Sequence, residues 1–164
     1  MICLMPLKLG QKLDSRVLAG IVNQTVPIEL FVSTNKPIIN APNREYSINY
    51  NRHELQQFVP TDCTDNYIML MDSDVVIEDT EAIEKLVSYL DNNPEINCVS
   101  IDTKNIGIDI NHVLCACSLI RRSCYKTIDY LMFPHICQCL VIKQMFGNIY
   151  IPDIKACEIE RVHE

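Results

Sequence analysis

Short apolar runs alternate with segments of helical periodicity along most of this chain. The clearest runs are ICLMPL (2–7), IELFVSTN (28–35), YIMLM (67–71), VVI (75–77) and INCVSID (96–102), and they predict buried strands. Residues 12–23 carry apolar positions at helical spacing, and residues 82–93 do so after an acidic start and before Pro94. This alternation predicts an α/β domain with a mostly parallel sheet flanked by helices.

The remaining segments have weaker patterns. Residues 46–51 (YSINYN) alternate as a strand does, and residues 52–59 predict a short helix. In the second half we expect a strand over 112–122, helices over 123–131 and 135–147, and extended chain over 148–162. With no internal repeat or linker, the pattern predicts one domain covering residues 1–164.

Composition narrows the class of protein. The 164 residues are 48% hydrophobic and 21% charged, which is typical of a folded domain. The net charge of -7 argues against a general nucleic-acid-binding surface. No apolar run approaches the roughly 20 residues of a membrane span, and MICLMPLKLG does not resemble a secretory signal. A cytoplasmic location is therefore expected, and the small size and cysteine content suggest a phage or viral protein.

Nine cysteines stand mostly inside apolar runs such as VLCACSLI and HICQCLVI. In a reducing cytosol such cysteines pack as small hydrophobes, which is the interpretation we favour. The alternative is a zinc site formed by the pairs Cys115/Cys117 and Cys137/Cys139. Neither pair has the C-x2-4-C spacing of structural zinc sites.

Two acids, Asp72 and Asp74, stand immediately after the most apolar predicted strand of the chain. In parallel sheets ligands bind at the carboxyl ends of strands, and paired carboxylates suit a hard divalent cation such as Mg²⁺ or Mn²⁺. The alternative is a solvated acidic turn. The acidic helix start after this segment favours the metal site.

With these residues in view, the chain resembles the nucleotide-sugar glycosyltransferases of the GT-A fold, in particular family 2. The matching segments, in order, are MICLMPL, SRVLAGIVNQTVPIELFVSTN, DNYIMLMDSDVVIED, CSLIRRSCYKTI and KQMFGNIYIPD. The resemblance implies a Rossmann-like mostly parallel sheet and Mn²⁺ or Mg²⁺ as cofactor. It also implies a nucleotide-sugar donor, most simply a UDP-sugar, together with an acceptor.

The resemblance also implies roles for residues at the donor. Asp74 would coordinate the metal that bridges the nucleotide diphosphate, and Asp72 would hold the ribose or the water shell of the metal. Ser73 and the backbone groups of Pro6 and Leu7 would lie at the nucleotide.

The end of the second strand departs from the family. Ser33 and Asn35 stand near the place where the family has an acid that contacts the base, so they would supply hydrogen bonds without charge.

The resemblance also gives a role to two arginines after the strand expected in the second half of the chain: Arg121 and Arg122 would contact the acceptor or the diphosphate.

Two further positions depart from the family. Inverting members carry a Glu-Asp pair about eleven residues before the glycine that matches Gly147, and here that place holds His135 and no acid. His135 is therefore a candidate general base, with Asp129 and Asp109 as alternatives. His163 is the candidate for the closing metal ligand, with Glu158 and Glu160 as substitutes.

The leading interpretation is a metal-dependent glycosyltransferase of the hexosyltransferase class. A nucleotidyltransferase of related fold is one alternative, but it needs a phosphate-binding loop after the first strand, and KLGQKL is a poor version of one. A noncatalytic module whose cysteines bind zinc is another. An oligomer is compatible with either enzyme.

Overall fold

The structure is a computed structural model that describes residues 1–8, 10–35, 44–101, 117–130, 149–151 and 153–159. Its elements are β1 (Ile2–Lys8), α1 (Ser15–Val22), β2 (Glu29–Asn35), α2 (Arg44–Gln57), β3 (Tyr67–Met71), β4 (Val75–Ile77), α3 (Ala82–Asn92), β5 (Cys98–Ile101), β6 (Cys117–Arg121), α4 (Arg122–Tyr125), β7 (Ile149–Ile151) and β8 (Ala156–Glu158). Most of the strands predicted from apolar runs are present within one or two residues of their expected bounds.

A six-stranded sheet forms the centre, in the order β2-β1-β3-β6-β5-β7. The pairs β1–β2, β1–β3 and β5–β7 are parallel, while β6 runs antiparallel to β3 and β5. The strands β4 and β8 form a separate antiparallel pair. The predicted mostly parallel sheet is confirmed, and the reversed strand β6 was not predicted.

Alternating side chains of the strands build a core on each face of the sheet, as strand geometry requires. Cys3 and Met69 point to the face covered by α1 and α3, whereas Leu4 and Leu70 point to the face covered by α2 and α4. Helices on both faces are the layer arrangement expected of an α/β domain. The predicted flanking helices are therefore confirmed.

Helix α1 packs so closely on β4 that only glycine fits at one position. A Cβ placed on Gly20 would lie 2.7 Å from the carbonyl oxygen of Ile77. The buried Gln24 then links α1 to α3: its Nε2 donates to the carbonyls of Gly20 and Asp79, and its Oε1 accepts from the Ile83 amide. This satisfies an amide in the first turn of α3, which has no side-chain N-cap. These contacts fix β4, the strand that follows Asp74.

Two predicted elements are wrong. Residues 46–51 lie inside helix α2 and form no strand. The buried residues of α2 include Asn51, Arg52 and Leu55, which follow helical spacing. Because two of these three residues are polar, a pattern based on hydrophobic positions does not detect the helix. The helix expected over 123–131 is the single turn Arg122–Tyr125. The helix expected over 135–147 and the start of the strand expected over 112–122 lie outside the described residues.

The described cysteines favour the core interpretation. Cys3, Cys98 and Cys117 are buried, and burial raises the pKa of the Cys3 and Cys98 thiols to about 12. Because zinc binds thiolates, such protonated thiols are poor ligands. Within the described ranges, no group of three or more His, Cys, Asp and Glu side chains is placed to hold a metal ion. Cys115, Cys137 and Cys139 lie outside those ranges.

No helix in the described part of the chain combines the length and apolarity that a membrane crossing requires.

Candidate active site

Three strands bring the predicted donor-site residues to one edge of the sheet. Pro6 on β1 pairs in register with Ser33 on β2. On the other side of β1, Leu4 pairs with Leu70 on β3, and continuing that register places Asp72 level with Pro6. Neighbouring strands are 4.7–4.9 Å apart, so Ser33 and Asp72 flank Pro6 across about 10 Å. The family resemblance implied this grouping, and the parallel register produces it.

The acidic tip, which we define as Asp72, Ser73 and Asp74, is a tight turn between β3 and β4. The Val75 amide donates to the Asp72 carbonyl at 3.3 Å and closes the turn. Ser73 is buried, whereas Asp72 and Asp74 are partly exposed. Since β3 and β4 are buried throughout, the turn holds both carboxylates at the protein surface on rigid supports. Because both carboxylates stay partly exposed, the fold does not have to bury two negative charges side by side, and both remain accessible to a ligand.

Arg52 on α2 is the residue at this site that the sequence reasoning missed. Its Nη2 lies 2.7 Å from Asp72 Oδ1, and the arginine side chain is only 5% exposed. The buried Nε and Nη1 of Arg52 have no hydrogen-bond partner among the described residues. A buried guanidinium beside one carboxylate reduces the repulsion between the two acids of the tip. It would also compete with any other cation for Asp72.

Helix α2 is held in place at the next turn. Gln56, four residues after Arg52, donates from Nε2 to the carbonyls of Tyr125 and Ile128 at 2.8 and 3.0 Å. Burial raises the pKa of Tyr125, and nearby Arg52 opposes that rise. The segment after β6 therefore clamps α2 and fixes the position of Arg52. The sequence did contain a signal for this residue. Arg52 stands three positions before Leu55, a spacing that places its cation on the inward side of a helix.

The last described segment runs beside the acidic tip. Val75 pairs with Glu158 in the β4–β8 sheet, and the Ile159 amide donates to the Asp74 carbonyl at 2.7 Å. Glu160 and His163 lie outside the described residues. The identity of the closing metal ligand therefore stays a prediction.

Arg121 and Arg122 lie away from this site, which contradicts the expected contact with the diphosphate there, and the expected contact with an acceptor stays a prediction. Because β6 is antiparallel to β3, Arg121 pairs with Tyr67 at the opposite edge of the sheet from Asp72. Arg121 donates to the carbonyls of Leu90, Asn93 and Ile96. Arg122 donates to those of Thr61 and Cys63. Both guanidinium groups therefore stabilise loop and helix-end carbonyls.

The other predicted residues divide into described and undescribed ones. The Leu7 side chain is buried, so this residue can offer only its backbone to a ligand, as expected. Asn35 ends β2 level with Lys8. Asp129 is exposed between the buried Ile128 and Tyr130. His135 and Asp109 lie outside the described residues, so the identity of a general base stays a prediction.

The sequence matches a profile of a known family. The glycosyl transferase family 2 profile covers residues 43–144, which include α2, the acidic tip and Arg52. A comparison with curated protein sequences finds no match.

Solved structures with this fold include several transferases. The mannosyltransferase PcManGT from Pyrobaculum calidifontis, solved in complex with GDP-Man and Mn²⁺, matches 99% of this chain at 12% identity and a TM-score of 0.66, and this chain spans 57% of its length. Protein A197 from STIV matches 98% of this chain at 12% identity and a TM-score of 0.65, over 87% of its own length. A glycosyltransferase involved in glycosylation of the major capsid of PBCV-1 matches 96% at 10% identity and a TM-score of 0.62, over 92% of its length. At these identities the likeness establishes the fold, which is the predicted GT-A arrangement.

Proposed function

Since this chain belongs to glycosyl transferase family 2, we propose that it transfers a sugar from a nucleotide diphosphate donor, most simply a UDP-sugar, to an acceptor. One observation carries the proposal: Asp72 and Asp74 follow β3 at the same edge of the sheet near which Pro6 on β1 and Ser33 on β2 lie side by side. Carboxyl ends of parallel strands are where α/β sheets bind nucleotides. We further propose that residues 1–164 form one catalytic domain, because the central sheet takes strands from both halves of the chain.

The donor set of the acidic tip fits a hard divalent cation. Carboxylate oxygens are the ligands that Mg²⁺ and Mn²⁺ prefer, and substrate phosphates commonly complete their coordination. We propose Asp74 as the direct ligand, because the cation Arg52 already lies against Asp72. Asp72 would then contact the ribose or the water shell of the ion, and His163 is the proposed closing ligand. The ion would neutralise the charge that develops on the diphosphate leaving group.

The nucleotide would lie across the ends of β1 and β2. Backbone groups of Pro6 and Leu7 would contact it from one strand, and Ser33 and Asn35 from the other. The register that sets Pro6 beside Ser33 supports this arrangement. Ser73 is buried within the tip, so we assign it a supporting role beneath the two carboxylates.

Acceptor activation is assigned on the sequence alone. His135 is the first candidate for the general base, since a neutral imidazole accepts a proton near neutral pH. Asp129 is the second, and its exposure leaves it accessible to an acceptor. A cytoplasmic location and a phage or viral origin stay predictions.

The direct test of the proposal is nucleotide binding with and without metal. UDP and GDP are each added to chelator-treated protein, with Mn²⁺, with Mg²⁺ or with EDTA, and thermal unfolding is recorded. The expected result is stabilisation by UDP only when a metal is present. At about 100 times its dissociation constant the ligand should add roughly 2.7 kcal/mol to the free energy of unfolding.

Two outcomes would count against the proposal. Equal stabilisation by UDP in EDTA and in Mn²⁺ would remove the metal from donor binding. No effect of any nucleotide, together with stoichiometric zinc in protein purified without chelator, would favour a zinc-binding module instead. If UDP binds with metal as expected, a second assay would identify the donor: release of free sugar from individual UDP-sugars in the presence of Mn²⁺.

A further inference from the structure

Strand β2 forms one edge of the six-stranded sheet. It pairs with β1 on its inner side, and no strand in the described part of the chain pairs with its outer side. The register with β1 runs without a bulge from Glu29 to Asn35. Val32, at the centre of the strand, is 42% exposed although it is apolar, and Thr34 is exposed as well. The strand therefore presents a regular and accessible edge.

Proteins usually protect such an edge against pairing with another chain. Lysine or proline within the strand, β-bulges and inward-pointing charges are the common means. The sequence of β2, ELFVSTN, contains neither lysine nor proline, and its one charge is on Glu29 at the start of the strand. An edge without these features is able to bind a further strand.

The pairing of β2 with β1 determines which backbone groups face outwards. The Glu29 amide donates to the Met1 carbonyl at 2.8 Å, so the backbone groups of Glu29 point inwards, to β1. Because these groups alternate in direction along a strand, those of Leu30, Val32 and Thr34 point outwards. The three outward residues are evenly spaced about Val32.

This spacing matches a second copy of the same strand. In an antiparallel pair with Val32 opposite its own copy, Leu30 lies opposite Thr34, and opposed residues of this kind exchange both N–H···O bonds. Glu29 then lies opposite Asn35, which carries no charge, so no like charges meet along the strand. A shift of two residues in either direction would leave one outward residue of β2 without a partner in the other β2. The symmetric register therefore pairs all three.

We propose that two copies of this chain form a two-fold symmetric dimer through the outer edges of β2, with Val32 on the symmetry axis. Two-fold dimers are the commonest oligomers of soluble proteins, and this pairing removes one open edge from each sheet. Because the contact is one strand wide, we expect a weak dimer with a dissociation constant in the micromolar range. The inference does not depend on the proposed glycosyl transfer.

Analytical ultracentrifugation of the wild-type chain and of substituted chains tests the dimer. The wild-type chain should change from monomer to dimer as its concentration rises through the micromolar range. Val32→Lys and Val32→Glu should each weaken self-association by at least about tenfold, because this position faces its own copy and like charges repel. A mixture of the two variants should restore the dimer, since opposite charges then meet on the axis. Recovery in the mixture also shows that both variants fold.

Ser88→Lys is the matched control. It adds the same charge at an exposed position on α3, which packs on β5, four strands away from β2. This variant should associate as the wild-type chain does. An equal loss of association in Ser88→Lys and Val32→Lys would indicate a general effect of charge and would overturn the proposal.

Three further results would overturn it. A wild-type chain that stays monomeric into the near-millimolar range excludes the dimer, and binding of a synthetic peptide of residues 29–35 to that monomer would assign the edge to a peptide ligand instead. Equal self-association of the wild-type chain and Val32→Lys would place any dimer contact elsewhere. Failure of the mixed variants to associate would exclude the symmetric register.

Discussion

The guanidinium of Arg52 forms an ion pair with Asp72, with Nη2 2.7 Å from Oδ1, and only 5% of the arginine side chain is exposed. The second acid of the tip, Asp74, stands two residues away, where the chain turns into β4. The two carboxylates are therefore not equivalent. One compensates a buried cation, and we propose the other as the direct metal ligand.

We expect Asp72→Ala and Asp74→Ala to differ in stability. Removing Asp72 leaves Arg52 buried without its carboxylate, which should cost about 2–4 kcal/mol of unfolding free energy, towards the lower end because Asp72 is 37% exposed. Removing Asp74, whose carboxylate is not the one paired with Arg52, should cost less. Urea unfolding of the two variants measures the difference. The double variant Arg52→Met/Asp72→Ala should recover part of the loss, and equal losses in both single variants would contradict the assignment.

Asp74→Asn should abolish metal-dependent nucleotide binding in a folded protein. The amide keeps the shape of the side chain and removes the charge that a divalent cation needs. The readout is the thermal shift produced by UDP with Mn²⁺, which should fall to the value seen in EDTA. Ser33→Ala serves as the comparison, since it should weaken UDP binding while keeping its metal dependence. A full shift in Asp74→Asn would show that this residue is not a ligand.

Gln24→Leu should destabilise the fold although it keeps a side chain of similar size. The substitution leaves the Gly20 carbonyl and the Ile83 amide without this partner, while the Asp79 carbonyl keeps its bond from the Ala82 amide. Unsatisfied buried groups cost about 1–3 kcal/mol. Asn92→Ala is the control, because Asn92 is exposed and its side chain bonds to the Ser88 carbonyl within the same helix. Chemical unfolding should show a change below about 0.5 kcal/mol for that control.

The free energy of unfolding should fall as pH rises above about 9. The pKa of the Cys3 and Cys98 thiols is about 12 in the folded protein, from the usual value of 9.0. The unfolded chain therefore releases these protons first, and between pH 9.0 and about 12 each thiol lowers stability by about 1.4 kcal/mol per pH unit. Below pH 9.0 both states hold the proton and the contribution is constant. Urea unfolding of Cys3→Ala across this range should show a shallower slope than wild type, and parallel slopes would contradict it.

His135→Ala should lower turnover by about 10²- to 10⁴-fold with little change in donor affinity, if His135 deprotonates the acceptor. The wild-type rate should then rise with pH through a limb near the imidazole pKa. Asp129→Asn is the parallel variant, and a larger loss there would move the role to Asp129. NMR of the anomeric proton of the product adds an independent check, because retention of configuration would remove both residues from this role.

Several features of the candidate active site could be predicted from the sequence. The apolar run ending in Asp72-Ser73-Asp74 predicted a strand end with two carboxylates, and the structure places them there. The family resemblance placed Pro6 and Ser33 together at the nucleotide, and the structure pairs them in register two residues before the ends of β1 and β2. These features depend on local periodicity and on the rule that parallel strands end together, so sequence was sufficient for them.

The tertiary structure decided the partners of the charges. Arg52 is 20 residues before Asp72 in a polar helix, and only the packing of α2 on the sheet brings the two together. The reversed direction of β6 moved Arg121 to the far edge, although its place after an apolar strand suggested the donor site. Strand direction and helix packing depend on contacts between residues distant in the chain, whereas hydrophobic periodicity records only near neighbours. The sequence alone therefore determined the strands and the acidic tip, and the tertiary structure decided which cations meet it.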